Sequence, residues 1–272
     1  MAKHDIALYS KCTSTIFAGK SHFGFEMRFF LYFYKKNMNT CDQIERLNLK
    51  FIRLDSQNRQ PENIVLSEGQ KKIINFLDNK PLSVIKHSRG IGASTALILY
   101  ILANALYPKN KNKQFCFIRP DYFYSKCAYD LTKNIIKLSL SEEDRKQITF
   151  KKSSIVFPNN NVAYFSTPKI LRNRDKRFDA IIGDTAAFFE FNIGDAKDLL
   201  NKNGRICFVS TPHGIGNDFA KLWTNTKDDE HLSITFMDTF WQGTEYAEKM
   251  KQYCSINTYF EEICGWFIMV GC

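Results

Sequence analysis

The chain has 272 residues, of which 44% are hydrophobic, enough to fill the core of one large domain, and this excludes disorder of the whole chain. Its formal charge of +10 and pI near 9.1 favour polyanionic partners, nucleic acid among them. Eight scattered cysteines without a CxxC pair predict a reduced, cytoplasmic protein without structural zinc. The apolar runs are too short for a membrane span, and we expect neither a secretion signal nor membrane insertion.

Residues 1–60 are predicted to form an appendage or lead-in to the main domain. They contain an aromatic cluster between Phe23 and Tyr34, which fits a small side core or a partner-binding patch, and end in the Pro-bearing stretch SQNRQPEN. From Leu66 onward, short apolar runs alternate with helical segments. This alternation predicts an α/β domain over residues 61–272 with a mostly parallel central sheet.

The elements of this domain can be assigned from the apolar runs. Strands are predicted at 82–86, 114–118, 178–183, 205–210 and 232–237. Helices are predicted near 94–107, 122–138, 194–203, 215–224 and 244–264. The stretch SSIVFPNNNVAYFS has two alternating runs around a Pro-Asn-Asn-Asn turn, which indicates an inserted β-hairpin.

A glutamine stands at the start of the first amphipathic helix of this domain. In LSEGQ, Gln70 precedes the helical stretch from Lys71 to Leu77. A carboxamide can form a two-way hydrogen bond with the edge of adenine, although most surface glutamines have no such role. Gln70 is therefore a candidate for base recognition only together with other signals.

The segment LSVIKHSRGIGASTALILYILANAL joins a buried strand to an apolar helix through a loop that contains Gly90 and Gly92. This order gathers backbone N–H groups and the positive end of a helix around one point, as in sites that cradle phosphate. Ser94 offers a hydroxyl that can hold Mg²⁺. A tight turn that binds no ligand stays open as the alternative.

The loop departs from the usual phosphate-binding pattern at one position. A Lys is expected directly before the Ser/Thr pair, and Ala93 stands there. Two earlier cations, Lys86 and Arg89, are candidates to fold back over the phosphates. The predicted nucleotide-binding residues are Gln70, Lys86, Ser88, Arg89, Gly90, Ile91, Gly92, Ala93, Ser94 and Thr95.

A second informative junction is RFDAIIGDTAAFFEF, an apolar strand that ends in Asp184. A carboxylate at this place orders Mg²⁺ in phosphate-loop enzymes, although an Asp there can also simply cap the next segment. ATPases with an Asp-Glu pair use the next residue as the base that orients water, and here it is Thr185, whose hydroxyl cannot act as a base at neutral pH. Glu190 is a weak candidate replacement.

A third junction, GRICFVSTPHGIGNDFAKLW, leads a strand into Ser210, Thr211 and Pro212. Hydroxyls beside the Asp184 strand can sense a γ-phosphate and couple its presence to the following helix, whereas a plain strand-to-helix turn would use the same residues. We expect the loop after residue 86 and the carboxylate of Asp184 to face each other at neighbouring strand ends.

In this order and spacing, the segments resemble the ATPase domain of the large terminase subunit, the DNA-packaging motor of tailed phages and related viruses. The resembling stretches, over about residues 66–267, are LSEGQKKII, IKHSRGIGAST, FDAIIGDTAAF and VSTPHGIGNDFAKLW, with a weaker similarity at TYFEEICGWF. The hairpin followed by Arg172 also resembles the family's strand pair and arginine, although Asn173 replaces the expected Gly.

The resemblance implies a P-loop NTPase three-layer fold, with ATP and Mg²⁺ as cofactors. It implies adenine contact by Gln70, catalytic roles for Arg89 and Asp184, and Mg²⁺ held by Ser94 and Asp184. Further implied roles are phosphate contact by Arg89, Gly90, Gly92, Ser94 and Thr95, and coupling of hydrolysis to motion by Ser210, Thr211 and Pro212. Because Ala93 and Thr185 make both Walker motifs degenerate, we expect hydrolysis to be weak or lost.

The resemblance also implies partners, namely double-stranded DNA, a portal, a small terminase subunit and further copies in a homo-oligomeric ring, with localisation in the host cytoplasm. Full-length family members continue into a metal-dependent nuclease, and we expect that domain to be absent because the sequence stops at Cys272.

Two other hypotheses stay open. One is a non-catalytic nucleic-acid-binding or assembly protein that reuses the fold; its candidate DNA surface is equally well explained as a solvated charged loop. The other is a helicase, which needs a second motor domain that the residues after Trp223 are too few to build. The candidate DNA-binding residues are Arg172, Arg174, Lys176 and Arg177, together with Lys109, Lys111 and Lys113.

Overall fold

The computed structural model describes residues 38–51, 60–172, 175–238 and 243–268. The strands are β1 Lys50–Phe51, β2 Glu62–Asn63, β3 Leu82–His87, β4 Gln114–Ile118, β5 Thr149–Phe150, β6 Ser154–Val156, β7 Val162–Ser166, β8 Phe178–Asp184, β9 Leu200–Ser210 and β10 His231–Ile234. The helices are α1 Thr40–Leu47, α2 Glu68–Asn79, α3 Ala93–Leu106, α4 Tyr122–Ser139, α5 Glu142–Lys146, α6 Ile193–Asp198, α7 Asp218–Asn225, α8 Gly243–Tyr253 and α9 Ile256–Thr258. Short 3₁₀ turns lie at Pro168–Arg172, Ala186–Phe188, Asp228–Glu230 and Phe236–Asp238.

The central sheet has eight strands in the order β10-β3-β9-β8-β4-β7-β6-β5. The strands from β10 to β7 pair in parallel, and only the last two pairings are antiparallel. Because the inner strands are parallel, β3, β9, β8 and β4 all end at the same edge of the sheet. The predicted α/β fold with a mostly parallel sheet is confirmed.

Helices cover both faces of the sheet. Successive strand residues are buried against opposite layers, as Ile85 is in one core cluster and Val84 in the other. On the first face, α3 is apolar around almost its whole circumference, because it is enclosed by the sheet and by α1, α2 and α4. On the second face lie α6, α7 and the segment around Phe267.

Part of the N-terminal region packs on this core. Ile44 of α1 and Leu49 are each 1% exposed and belong to the same cluster as α3. The predicted aromatic cluster between Phe23 and Tyr34 lies outside the described residues. The expected division of the chain at residue 60 stays a prediction, and the described segment 38–51 packs with the main domain.

The predicted hairpin is confirmed as β6 and β7, and it joins the main sheet between β4 and the edge strand β5. The asparagines of its turn hold the hairpin to the rest of the domain through side-chain hydrogen bonds. The buried side chain of Asn161 donates to the carbonyls of Ala105 and Asn110 and accepts a hydrogen bond from the backbone N–H of Lys113. The turn is thus fastened to the segment that follows α3.

The predicted boundaries differ most from the structure in three places. The helix expected at 194–203 ends at Asp198, and β9 begins at Leu200 because that residue already pairs with Phe178 of β8. The last strand ends at Ile234, because the backbone N–H of the next residue, Thr235, donates to the carboxylate of Asp238 and a 3₁₀ turn follows over Phe236–Asp238.

The third difference concerns the helix expected at 244–264, which the structure divides into two helical segments. Its second piece starts at α9, capped by Ser255, and continues as a π-helical turn over Tyr259–Ile263. None of the described helices is both long and apolar enough to cross a lipid bilayer.

Candidate nucleotide-binding site

A cavity of about 520 Å³ opens at the edge where the parallel strands end. Its volume lies in the range of small-molecule sites, which span roughly 300–1,000 Å³. The residues that line it are His87, Arg89, Gly90, Gly92, Ala93, Ser94, Arg119, Pro120, Tyr124, Asp184, Thr185, Phe188 and Thr211. The loop after β3, the end of β8 and the end of β9 therefore meet around one space.

The glycine loop is shaped for close approach of its backbone to a ligand. Gly90 and Gly92 have φ of 82° and 78°, a conformation that side-chain-bearing residues rarely adopt. Gly92 is the N-cap of α3, and no side chain of the described residues caps that helix start. The first turn of α3 thus presents its backbone amides and its positive dipole end toward the cavity.

Gln70 lies directly behind this loop. Its side-chain N–H donates to the carbonyl of Gly92 at 3.1 Å, and its Oε1 accepts from the backbone N–H of Ser67 at 3.0 Å. The Ser67 hydroxyl in turn caps α2, which completes a capping box. Gln70 therefore braces the loop in this structure, while its contact with adenine stays a prediction.

The two cations predicted to fold over the phosphates are engaged elsewhere. Lys86 lies on the face of β3 opposite to Ile85, and its Nζ is 4.9 Å from the ring centre of Trp223; burial lowers its pKa. Arg89 lines the cavity and its side chain is 57% exposed. It forms a bidentate ion pair with Glu262, in which Nη2 lies 2.6 Å from Oε1.

Other predicted binding residues lie behind the cavity lining. The buried hydroxyl of Ser88 donates to the carbonyl of Ile263, and Ile91 is 2% exposed in the core. Of the predicted set, the structure brings Arg89, Gly90, Gly92, Ala93 and Ser94 to the cavity, and leaves Gln70, Lys86, Ser88, Ile91 and Thr95 outside its lining.

Asp184 lies at the end of β8 and faces the same cavity. Its side chain is only 2% exposed, and Oδ2 accepts a hydrogen bond from Nη1 of Arg119 at 2.5 Å. The glycine loop and Asp184 were expected at the ends of neighbouring strands, and this was wrong, because β9 lies between β3 and β8. The parallel sheet still brings both ends to one side.

The position that would hold a catalytic glutamate has a constrained backbone. Thr185 has φ of 63°, and its hydroxyl is 3.5 Å from Oδ1 of Asp184. A β-branched residue in this left-handed region is an outlier and indicates local strain. Glu190 is exposed and lies outside the cavity lining.

Sequence reasoning missed five residues of the cavity lining, and two of them, Arg119 and His87, can carry a positive charge. Arg119 directly follows β4, and its Nη1 lies 3.3 Å from Oγ of Ser94 as well as 2.5 Å from Asp184. His87 ends β3, with Nδ1 2.8 Å from the carbonyl oxygen of Ser88; burial lowers its pKa, and the nearby carboxylate of Asp184 opposes this shift. Their position directly at strand ends was the available signal.

The predicted coupling residues link the cavity to its surroundings. The buried hydroxyl of Ser210 accepts a hydrogen bond from the backbone N–H of Ala187 at 3.1 Å, just after the Asp184 strand, and Thr211 lines the cavity. Two residues after Pro212, the backbone N–H of Gly214 donates to Oε1 of Glu261 at 2.5 Å.

The predicted DNA-binding residues are separate from the cavity lining. Arg172 and Arg177 are exposed, and Nζ of Lys176 lies 4.2 Å from the ring centre of Tyr164. Nζ of Lys113 pairs with Asp179 at 2.9 Å. Arg174 lies outside the described residues.

Solved structures show what this arrangement is similar to. The large terminase of bacteriophage HK97 superposes with a TM-score of 0.63 at 12% identity, over 85% of this chain and 56% of that one. The large terminase ATPase domain of Thermus phage P74-26 gives 0.55 at 15% identity, over 76% of this chain and 94% of that domain. The fold is that of a large terminase ATPase domain.

A third terminase adds a nucleotide-bound case. The large terminase of another thermophilic bacteriophage, solved in complex with ADP, superposes with a TM-score of 0.57 at 14% identity, over 74% of this chain and 54% of that one. This chain thus spans about half the length of the HK97 terminase and of the ADP-bound terminase. No protein-family model and no curated protein matches the sequence.

Proposed function

We propose that this chain is a terminase-type ATPase domain that binds ATP and Mg²⁺, descends from a viral DNA-packaging motor, and hydrolyses ATP weakly or not at all. One observation carries the proposal. The glycine loop with Ser94 and the buried carboxylate of Asp184 face one cavity at the ends of parallel strands, in a terminase ATPase fold.

The cavity fits a nucleoside triphosphate. It combines the volume of a ligand site with a glycine-shaped backbone and a helix start whose amides face inward. The thermophilic phage terminase solved with ADP has also been solved with ATP-γ-S, which supports nucleotide as the ligand class of this fold.

The side chains present also fit Mg²⁺. A magnesium ion in such sites takes one or two protein oxygens and completes its shell with water and phosphate oxygens. Ser94 and Asp184 would hold it, and when bound it would neutralise phosphate charge. The part of the chain that the structure describes has no larger cluster of metal-ligating side chains.

Weak hydrolysis follows from the side chains beside Asp184. Thr185 cannot take a proton from water at neutral pH, and Glu190 lies outside the cavity lining. Losing one preorganised catalytic group typically lowers a rate by about 10²- to 10³-fold. Binding depends largely on backbone amides and Mg²⁺, and the loop amides, Ser94 and Asp184 are still present.

A titration with a fluorescent ATP analogue, with and without Mg²⁺, tests the binding claim. We expect saturable binding that strengthens with Mg²⁺ and is weakened by Asp184→Asn. A single-turnover assay tests the second claim. Turnover at a rate usual for packaging motors, abolished by Asp184→Asn, would refute weak hydrolysis, and absence of nucleotide binding would refute the proposal as a whole.

A second candidate function is binding of double-stranded DNA without catalysis, and the net charge of +10 with exposed Arg172 and Arg177 favours it. DNA affinity that falls steeply with salt and does not respond to ATP would support this candidate over the first.

The proposed partners of a packaging motor are a portal, a small terminase subunit and further copies of the chain in a ring.

A further inference from the structure

A phosphate site needs a cation, and the glycine loop lacks one where it is usually found. Ala93 is 3% exposed and carries no charge. Phosphates entering the cavity would also meet the buried carboxylate of Asp184, so a side-chain cation in addition to the proposed Mg²⁺ would favour binding.

The loop's own cations do not fill this role. Nζ of Lys86 packs over Trp223 and Phe267, on the other face of β3 and outside the cavity lining. The guanidinium of Arg89 is held by Glu262, and its backbone N–H donates to the same residue's carbonyl. Arg89 is thus fixed at both ends to the C-terminal segment.

Arg119 stands where the charge is needed. It reaches the cavity from the end of β4, and its Nη1 lies between Oγ of Ser94 and Oδ2 of Asp184, at 3.3 and 2.5 Å. Its side chain is 17% exposed, so it is shielded from water yet open to the cavity that it lines. The ring of Tyr124 lies 5.5 Å from the guanidinium carbon and supports it.

We propose that Arg119 is the phosphate-contacting cation of this site, and that it replaces the missing lysine of the loop; this rests on the proposed nucleotide-binding function. A guanidinium has five donors in a planar fork and suits phosphate oxygens. One of these donors, Nε, is buried and has no hydrogen-bond partner among the described residues. In the ligand-free protein Arg119 neutralises Asp184, and with nucleotide bound it contacts the terminal phosphates beside Ser94.

The test compares Arg119→Gln and Arg119→Lys with the unaltered chain. We expect Arg119→Gln to weaken binding of a fluorescent ATP analogue by about 10- to 100-fold, the worth of a charge-assisted hydrogen bond. Arg119→Lys keeps the charge and should retain most of the affinity. Tripolyphosphate, which has no base, should compete less well for Arg119→Gln by a similar factor.

A matched control is Arg145→Gln. Arg145 also has a buried Nε without a hydrogen-bond partner among the described residues, but it lies outside the cavity lining. Its substitution should leave the affinity for both ligands unchanged.

Arg119→Gln leaves Asp184 buried without its cation and can unfold the protein, so the same comparison is also made in an Asp184→Asn background. The loss of affinity on Arg119→Gln should persist there. Unchanged ATP affinity in a folded variant would overturn the assignment of Arg119 alone. So would a loss for ATP with none for tripolyphosphate, because Arg119 would then affect binding of the nucleoside part of ATP and not of its phosphates. If the unaltered chain binds no nucleotide, the proposed function fails, and this proposal fails with it.

Discussion

Glycine at position 92 is required by two independent constraints. Its φ is 78°, and a Cβ added there would lie 2.5 Å from Nε2 of Gln70. The same contact ties α2 to the loop, since Gln70 donates to the carbonyl of Gly92. The conformation of the loop therefore depends on the absence of a side chain at this position.

Gly92→Ala should displace Gln70 and distort the loop. We expect a loss of about 1–3 kcal/mol in the free energy of unfolding, together with weaker nucleotide binding. Gly216→Ala is the control, because a Cβ there meets nothing within 4 Å. Chemical denaturation and the ATP-analogue titration measure both effects, and equal behaviour of the two variants would contradict the argument.

Thr185 is the exception among the described residues with positive φ that are not glycine. The other four are asparagines, at positions 48, 112, 160 and 203. Asparagine tolerates the left-handed region, whereas a β-branched residue does not. The strain is thus located beside the carboxylate of Asp184, at the rim of the cavity.

Thr185→Asn should relieve this strain and raise the free energy of unfolding by about 1 kcal/mol. The reverse change at a site far from the cavity, Asn203→Thr, should lower it by a similar amount. Thermal or urea denaturation measures both. If Thr185→Asn destabilises the protein, the strain at this position is offset by contacts of the threonine side chain.

At the scale of elements, the C-terminal segment is fastened to both loops of the site. Glu262 holds Arg89 of the glycine loop, and Glu261 accepts a hydrogen bond from Gly214 in the loop after β9. The hydroxyl of Ser88 donates to the carbonyl of Ile263, in the same segment. In the proposed function, the carboxylate of Glu262 would therefore compete with the phosphates of the nucleotide for Arg89.

Glu262→Gln should free Arg89 for the ligand. We expect nucleotide affinity to rise by about 3- to 10-fold, a modest gain because Arg89 is more than half exposed and its ion pair is screened by water. Glu142→Gln, which removes the carboxylate of an exposed helical ion pair, is the control. Lower affinity in Glu262→Gln would show that the ion pair supports the binding conformation of the loop.

How far the sequence reveals these elements depends on what determines each one. The inner strands and the hairpin are predictable because their apolar runs and turn residues are local signals. The start of β9 depends on pairing of Leu200 with Phe178, and the break at Ser255 on a cap, so neither follows from periodicity.

The site was predictable only in part for the same reason. The glycine loop and Asp184 have local signatures. Arg119 becomes a site residue only through strand order, because β4 lies beside β8 and brings its end to the same cavity. The engagement of Arg89 by Glu262 joins residues 173 positions apart, and no local pattern predicts it.

For the molecule as a whole, the excess of 38 basic over 28 acidic residues favours binding of polyanions. Among the described residues, Arg172 and Arg177 are exposed and lie outside the lining of the candidate nucleotide cavity. This separation leaves room for DNA and nucleotide on one domain.

The double variant Arg172→Gln/Arg177→Gln should weaken binding of double-stranded DNA uniformly across sequences, because phosphate contacts carry no sequence information. The slope of log affinity against log salt concentration should fall by about 2, one unit for each lost phosphate contact. Lys126→Gln/Lys146→Gln removes the same net charge from two exposed helical ion pairs and serves as the control. Fluorescence anisotropy at several salt concentrations measures both slopes. Equal slopes for the two double variants would mean that DNA responds only to net charge, and that the surface at Arg172 and Arg177 is a solvated loop.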